Sequence, residues 1–144
     1  MTRKVMAFGS FDFLHPGHVH YLTKASKLGD YLIVVVARDS SIRSIKGRAP
    51  IFGQKERARL VGSLRMVDKA VVGNELRKSG DMYKILKRHR PSAIIFGYDQ
   101  QVDLEKVRLW LKDNGLKAKV MRIRSSLKPK LYKSSRIKRS MGIQ

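Results

Sequence analysis

Short runs of apolar and β-branched residues alternate along the chain with longer segments whose apolar residues recur at helical spacing. Continuous apolar runs of this kind are typical of strands covered on both faces, as in a parallel sheet. The pattern predicts strands at 4–8, 31–37, 69–72, 93–96 and 118–123.

Helical patterns fill most of the intervals between these strands. Gly29 and Gly115 supply stop signals, and Pro91 disfavours helix in the residue before it. The alternation predicts an α/β fold: a single doubly wound, Rossmann-like domain with a five-stranded parallel sheet and helices on both faces. The stretch 38–53 is the longest connection, and we interpret it as a functional loop. Helices are predicted at 19–28, 54–64, 82–89 and 104–114.

Composition narrows the class of protein. Hydrophobic residues make up 42% of the 144 positions, which fits a globular domain, and cysteine is absent, so disulfides and thiolate metal sites are excluded. No apolar run approaches the roughly 18 residues of a membrane span. The chain enters a strand almost at once, so we expect no signal peptide, no membrane partner and a cytoplasmic location.

The formal net charge of +21 comes from 32 Lys and Arg residues against 11 Asp and Glu residues. Such an excess suits polyanions such as nucleic acid, an anionic membrane surface or polyphosphate substrates. Basic residues occur along the whole chain and become denser between Arg122 and Arg139. A scattered excess is also typical of a solvated surface, so charge alone does not choose among these partners.

Candidate chemistry follows the first predicted strand, in the segment GSFDFLHPGH at 9–18. Ligands of open α/β sheets bind beyond the carboxyl ends of the strands. Gly9 lets the backbone approach a ligand closely, and Ser10 adds a hydroxyl donor. Pro16 and Gly17 form a tight turn just before the predicted helix.

Two histidines, His15 and His18, flank that turn. A helix N-terminus already favours phosphate through its unpaired N–H groups and its dipole. Two imidazoles converging there could donate to phosphate oxygens. Two ordinary surface histidines would be the alternative, but their spacing directly after a strand favours function.

These residues resemble the GTFDxxHxGH motif of the cytidylyltransferase-like nucleotidyltransferases, and the resemblance extends over nearly the whole chain. LGDYLIVVVARD at 28–39 resembles the family's second strand. The segment at 54–73, with Arg57, Arg65 and Asp68, resembles its next helix and strand. FGYD at 96–99 is similar to its G-x-D segment. YKSSRIKR at 132–139 is similar to its S-[ST]-x-I-[RK] tail.

The resemblance implies that an acceptor phosphate attacks the α-phosphorus of a nucleoside triphosphate and releases pyrophosphate, without a covalent enzyme intermediate. It implies that His15, His18 and Lys46 are catalytic. A divalent ion, Mg²⁺, would be held mainly by the substrate phosphates, with no protein ligand assigned. The implied nucleotide-binding residues are Gly9, Ser10, Phe11, His15, Pro16, Gly17, His18, Gly97, Asp99, Ser134, Ser135 and Lys138.

The resemblance divides the domain, 1–144, into a core at 1–125 and a basic segment at 126–144 that completes the triphosphate site. Ser134 and Ser135 would cap a helix whose N-terminus receives the β- and γ-phosphates, with Lys138 adding charge. Asp99 would contact the ribose or the base. Each residue also has an ordinary structural alternative: the two serines as a plain helix cap, Asp99 as a turn cap, Lys46 as loop charge, Arg57 and Arg65 as solvent-facing or ion-paired side chains, and Trp110 as core or interface.

Within the family, the chain is most similar to archaeal-type FAD synthases, on the basis of LHPGH, KGRAPI and the Gln100 that follows Asp99. That similarity implies transfer of AMP from ATP to FMN, and implies a homodimer. A flavin needs an apolar, aromatic slot, which Phe13, Phe52 and Tyr98 could line.

Two other functions stay open at this point. One is CTP- or ATP-dependent transfer to glycerol 3-phosphate or a sugar phosphate, which would use the same motifs. The other, more distant, is a non-enzymatic nucleic-acid-binding module with a basic arm. The second leaves the paired histidines unexplained, so we do not expect nucleic acid to be the principal partner.

Overall fold

The computed structural model describes residues 2–75, 83–97, 100–123 and 138–142. Within them, five parallel strands form one sheet in the order β3, β2, β1, β4, β5, which confirms the predicted fold class. The strands are β1 (Lys4–Gly9), β2 (Tyr31–Val36), β3 (Lys69–Val72), β4 (Ala93–Phe96) and β5 (Lys119–Arg122).

Helices connect the strands and cover both faces of the sheet. These helices are α1 (Pro16–Ser26), α2 (Asp39–Lys46), α3 (Gln54–Gly62), α4 (Lys84–His89) and α5 (Leu104–Asp113), and residues 138–140 are helical as well. The prediction for α1 began too late, because Pro16 already occupies the first turn, where its missing N–H costs nothing.

Helix α2 corrects the prediction of a loop at 38–53. Asp39 stands in its first turn, and Gly47 ends it in the left-handed conformation with a φ of 71°. Both residue types are ordinary boundary signals. The helix is only eight residues long, and Ile42 is its one buried apolar side chain, so apolar periodicity carried little signal.

Burial on both faces explains why the strands are apolar at successive positions. Val5 and Ala7 contribute to the core on one face, whereas Met6 and Phe8 contribute to the core on the other. Helices α1 and α3 pack on the first face, and α4 and α5 pack on the second. Trp110 lies against the second core, 5.6 Å from the ring of Tyr83, which agrees with its interpretation as a packing residue.

The strand order places the ligand-binding edge. The chain moves from β1 to β2 and β3 on one side, and β4 and β5 lie on the other side of β1. In such sheets, the crevice forms where the order reverses, beyond the carboxyl ends of the strands. This point lies next to Gly9, at the start of the predicted motif. No helix in the described part of the chain is long and apolar enough to cross a membrane.

Candidate active site

The loop after β1 folds tightly on itself. Phe11 adopts a φ of 52°, which is uncommon for a residue with a side chain. A Cβ atom on Gly9 would lie 2.7 Å from the Phe11 ring, so only glycine fits there without movement. The Phe11 ring is buried, with its centroid 5.3 Å from that of His18 and 6.4 Å from that of Tyr21. The loop is thereby anchored to the first turns of α1.

His15 and His18 form a reciprocal cap at the start of α1. The Gly17 N–H donates to Nδ1 of His15 over 3.1 Å, and the His15 N–H donates to Nδ1 of His18 over 3.3 Å. The two rings stack with centroids 3.8 Å apart and an interplanar angle of 27°. The predicted pair therefore converges at the helix N-terminus.

This cap also fixes the tautomer of each ring. A neutral imidazole has one donor and one acceptor nitrogen. Because Nδ1 accepts a backbone N–H in both rings, the proton of each neutral ring lies on Nε2. Two N–H donors therefore belong to the same helix terminus, which is chemistry suited to phosphate oxygens.

The surroundings of His18 hold it in the neutral form. Removal from solvent is the main cause that lowers its pKa from 6.5 to about 3, and repulsion from His15 and Lys46 lowers it further. At neutral pH, His18 is thus an uncharged donor, and any bound phosphate would oppose this lowering of the pKa.

Lys46 reaches the motif from the last turn of α2. Its Nζ lies 3.4 Å from Oγ of Ser10, within hydrogen-bond distance. The ammonium group itself remains near solvent, because Lys46 is exposed. The structure therefore brings together Ser10, His15, His18 and Lys46 at the carboxyl edge of β1, although Lys46 lies on a helix and not on the predicted loop.

Arg57 holds several parts of the site together. The sequence left open whether its side chain faces solvent or forms an ion pair. Its side chain is 0% exposed. Its guanidinium donates to the carbonyl oxygens of Phe52 (2.8 Å) and Ser10 (2.7 Å), and to Oδ1 of Asp39 (2.7 Å). One side chain of α3 thus fixes the motif loop, the loop before α3 and the first turn of α2.

Asp12 joins the motif loop to two further parts of the chain. Its Oδ1 accepts the Ile51 N–H over 2.6 Å, and its Oδ2 is paired with Nζ of Lys138. Both side chains are buried, at 3% and 6% exposed. Sequence reasoning did not single out Asp12 and assigned Lys138 to the triphosphate; the structure places the Lys138 ammonium on Asp12. The available signal for Asp12 in the sequence was its charge inside the family motif.

A second loop approaches the site after β4. The Gly97 N–H donates to Oε1 of Gln100 over 2.5 Å. Arg122, on β5, donates to the carbonyl oxygens of Gly97 (3.1 Å), Gln100 (2.5 Å) and Val102 (2.7 Å). Arg122 was counted in the sequence only as surface charge, and no local pattern indicates its bonding.

The remaining predicted residues have different outcomes. Gly9, Phe11, Pro16 and Gly17 lie in the motif loop and first turn of α1. Arg65 is exposed. Asp99, Tyr98, Ser134 and Ser135 lie outside the described residues, so their roles stay predictions.

Within residues 2–75, 83–97, 100–123 and 138–142, no three His, Asp or Glu side chains converge as a metal site. The carboxylates of Asp12 and Asp39 are paired with Lys138 and Arg57. These side chains suit a metal that is bound chiefly by substrate oxygens.

Comparison with known proteins identifies the class to which this fold and site belong. The sequence model of the cytidylyltransferase-like family matches residues 6–140. The chain therefore belongs to the cytidylyltransferase-like family, which confirms the resemblance found in the motifs.

Individual relatives narrow the similarity. The chain is 42% identical to the FAD synthase of Ferroglobus placidus over 135 residues, covering 94% of this chain and 85% of that protein. It is 43% identical to the FAD synthase of Picrophilus torridus over 136 residues, covering 94% of each. These matches confirm the predicted similarity to archaeal FAD synthases.

Solved structures share the fold. A Thermoplasma volcanium structure, named as a lipopolysaccharide core biosynthesis protein, superposes with a TM-score of 0.79 at 42% identity, over 88% of this chain and 99% of that chain. Thermotoga maritima TmcAL, bound with α-thio ATP, superposes with a TM-score of 0.71 at 15% identity, over 97% of this chain and 50% of that chain. The second likeness shows the fold alone.

Proposed function

We propose that this protein is an FMN adenylyltransferase, which transfers AMP from ATP to FMN and forms FAD and pyrophosphate. The observation that carries the proposal is the stacked pair of His15 and His18, whose Nδ1 atoms are occupied by backbone N–H groups. The relatives of more than 40% identity that are named FAD synthases supply the acceptor.

The reaction is a single displacement at phosphorus. A phosphate oxygen of FMN forms a bond to the α-phosphorus of ATP, and the bond from that phosphorus to the α–β bridging oxygen breaks. Pyrophosphate leaves with the electron pair of the broken bond. Reactions of this kind ask a protein chiefly for positioning and for stabilisation of developing negative charge.

The histidines would perform that stabilisation. Because Nδ1 of each ring accepts a backbone N–H, each ring would donate from Nε2 to the α-phosphate or the bridging oxygen, and His18 would do so as a neutral ring. The α1 N-terminus would add its dipole in the same direction. Lys46, beside Ser10 and near solvent, would close on the triphosphate or on the FMN phosphate.

Mg²⁺ would neutralise charge on the phosphates and would be bound by their oxygens and water. The ion pairs of Asp12 and Asp39 support this assignment, because each carboxylate already has a cation. The C-terminal segment from 126 onward would complete the triphosphate site, with Lys138 holding the segment on Asp12.

The flavin would bind near the aromatic pair Phe13 and Phe52. Their rings lie parallel, at 9°, with centroids 6.4 Å apart. Phe52 is 39% exposed, so its ring offers apolar surface to a ligand. Because apolar surface in water is unfavourable, the exposed Phe52 ring supports a binding site that the flavin would cover.

The test is a substrate matrix with the purified full chain. ATP or CTP would be incubated with Mg²⁺ and with FMN, glycerol 3-phosphate or a sugar 1-phosphate, with pyrophosphate release and chromatography of the product as readouts. We expect FAD from ATP and FMN alone. Release of pyrophosphate only with another acceptor would overturn the proposal while keeping the nucleotidyltransferase class.

A sugar phosphate is the second candidate acceptor. It is favoured by the 42% identical structure that is named as a lipopolysaccharide core biosynthesis protein. The same matrix separates the two, because FAD absorbs visible light and a nucleotide sugar does not.

A further inference from the structure

The sheet divides where its strand order reverses, between β1 and β4. Pairing of β1 with β2 continues to Gly9, and pairing of β4 with β5 continues to Phe96. Pairing of β1 with β4 ends earlier, at Ala7 and Ile95. A gap in the backbone ladder therefore opens at the edge of the sheet where ligands of such folds bind.

Two side chains bond the backbone groups at this gap. In the register of β1 and β4, the next ladder bond would join the Gly97 N–H to the Phe8 carbonyl. Instead, the Tyr21 hydroxyl donates to the Phe8 carbonyl oxygen over 3.1 Å. The Gly97 N–H donates to Oε1 of Gln100 over 2.5 Å. Both backbone groups therefore have partners although the ladder between the strands has ended.

Tyr21, on α1, contacts both sides of the gap. Its hydroxyl also lies 3.0 Å from the Ile95 carbonyl oxygen, so its one proton is shared between β1 and β4. Its ring stacks on Phe11 at an interplanar angle of 17°, and the Phe11 ring meets that of His18 edge-on with centroids 5.3 Å apart. The hydroxyl therefore links the two strand ends, whereas the ring supports the loop that carries the histidines.

Packing alone does not require the Tyr21 hydroxyl. A phenylalanine would keep the stacking contact with Phe11. On the other face of the sheet, the Phe8 and Phe96 rings already hold β1 and β4 together, with centroids 5.4 Å apart. A hydroxyl that exchanges water for a carbonyl partner adds little net stability. Its presence is therefore better explained by the spacing that it imposes on the two strand ends.

We propose that Tyr21 is a positioning residue for ATP, because its hydroxyl sets the width of the crevice between the ends of β1 and β4. Beyond the gap lie Ser10 on one side and Gly97 on the other, to which the family resemblance assigns nucleotide binding. The hydroxyl bonds carbonyl oxygens that precede these residues, so it acts through the backbone and not on the substrate. This inference rests on the proposed transfer from ATP and concerns the nucleotide, not FMN.

The test compares wild type with Tyr21→Phe, which keeps the ring and removes the hydroxyl, in two measurements on the full chain. In steady-state FAD formation, the KM for ATP should rise about three- to tenfold, the factor that one hydrogen bond is worth. The kcat and the KM for FMN should change by less than about twofold, because the cap of His15 and His18 is intact. Calorimetric titration with Mg²⁺ and α,β-methylene-ATP, which cannot release pyrophosphate, should show the same loss of affinity.

A second variant separates the hydroxyl from the ring. Tyr21→Leu also removes the support of Phe11 and, through it, of His18, so kcat should fall about tenfold in addition. The matched control is Tyr31→Phe, which removes a hydroxyl at the opposite end of the sheet, where β2 begins. We expect it to change neither the KM for ATP nor the affinity for the analogue. Thermal unfolding checks that all three variants fold.

Three results would overturn the proposal. One is a lower unfolding temperature in Tyr21→Phe with an unchanged KM for ATP, because the hydroxyl would then serve only the fold. Another is an equal rise in the KM values for ATP and FMN, and the third is the absence of analogue binding by wild type. If wild type binds the analogue but forms no FAD, the proposed acceptor fails, and the affinities of the variants for the analogue still decide the role of Tyr21.

Discussion

The two edges of the sheet use charge in opposite ways. At the carboxyl edge, charged side chains are buried and hold loops: Arg57 bonds two carbonyl oxygens and Asp39, and Asp12 bonds Ile51 and Lys138. At the amino edge, the lysines that begin β3 and β5 are exposed and have no carboxylate oxygen within 4.0 Å in the described residues.

The lengths of the loops at the two edges of the sheet explain this difference. At the carboxyl edge, the chain makes irregular turns between β1 and α1 and between α2 and α3, whose backbone groups need partners. At the amino edge, the connection from α4 to β4 spans only residues 90–92, and the Arg90 and Ser92 N–H groups already donate to the carbonyl oxygens of Leu86 and Lys4. Charge is therefore structural at one edge and remains available for long-range attraction at the other.

The largest effect is expected for His18, because its ring would touch the reacting phosphates. His18→Ala should lower turnover by about two to four orders of magnitude, measured as FAD formed from ATP and FMN. His18→Asn can keep an acceptor in place of Nδ1 but has no donor in place of Nε2, so it should be equally impaired. His20→Ala, on the same helix, should stay near wild type. If His18→Asn kept its activity, the His18 ring would act only as a helix cap and not in catalysis.

The buried charge of Arg57 should matter mainly for stability. Arg57→Met leaves Asp39 without its cation and two carbonyl oxygens without donors, so the free energy of unfolding should fall by about 3–5 kcal/mol. Urea denaturation provides the measurement. The exposed neighbour Arg59→Met, and Lys69→Met at the amino edge, should change it by less than about 0.5 kcal/mol. Equal effects at Arg57 and Lys69 would erase the contrast between the edges.

The sequence predicted the parallel sheet and the histidine pair because both depend on local patterns. Apolar runs such as AIIF at 93–96 identify strands, and the HPGH spacing sets both rings on the first turn of α1. The contacts of Arg57, Asp12 and Arg122 were not predicted, for one reason. Most of their partners lie far along the chain, from 18 residues away for Arg57 and Asp39 to 126 for Asp12 and Lys138, and no spacing rule records such contacts.

The pair of Asp12 and Lys138 should show coupling of intermediate size. Asp12→Asn and Lys138→Met each break a buried ion pair, and the double variant should cost less than their sum by about 1–3 kcal/mol. If Lys138 positions the C-terminal segment, the KM for ATP should rise in both single variants more than kcat falls. Additive unfolding energies, or a fall in kcat alone, would count against this positioning role.

Per pH unit, the smallest effect is the dependence of stability on the protonation of His18. Because folding lowers the His18 pKa from 6.5 to about 3, the unfolded chain binds a proton there that the folded chain does not, throughout that window. The sign follows: stability contributed by neutral His18 is present above pH 6.5 and is lost as pH falls toward 3, by up to about 1.4 kcal/mol per pH unit. Urea denaturation at pH 6.5, 5.5 and 4.5 should therefore give a shallower loss in His18→Asn than in wild type or His20→Asn. If the His18 ring titrates near pH 6.5 by NMR, and the free energy of unfolding falls equally with pH in all three proteins, then folding does not hold this ring neutral. Stabilisation of the phosphates would in that case come from Lys46 and the helix N-terminus.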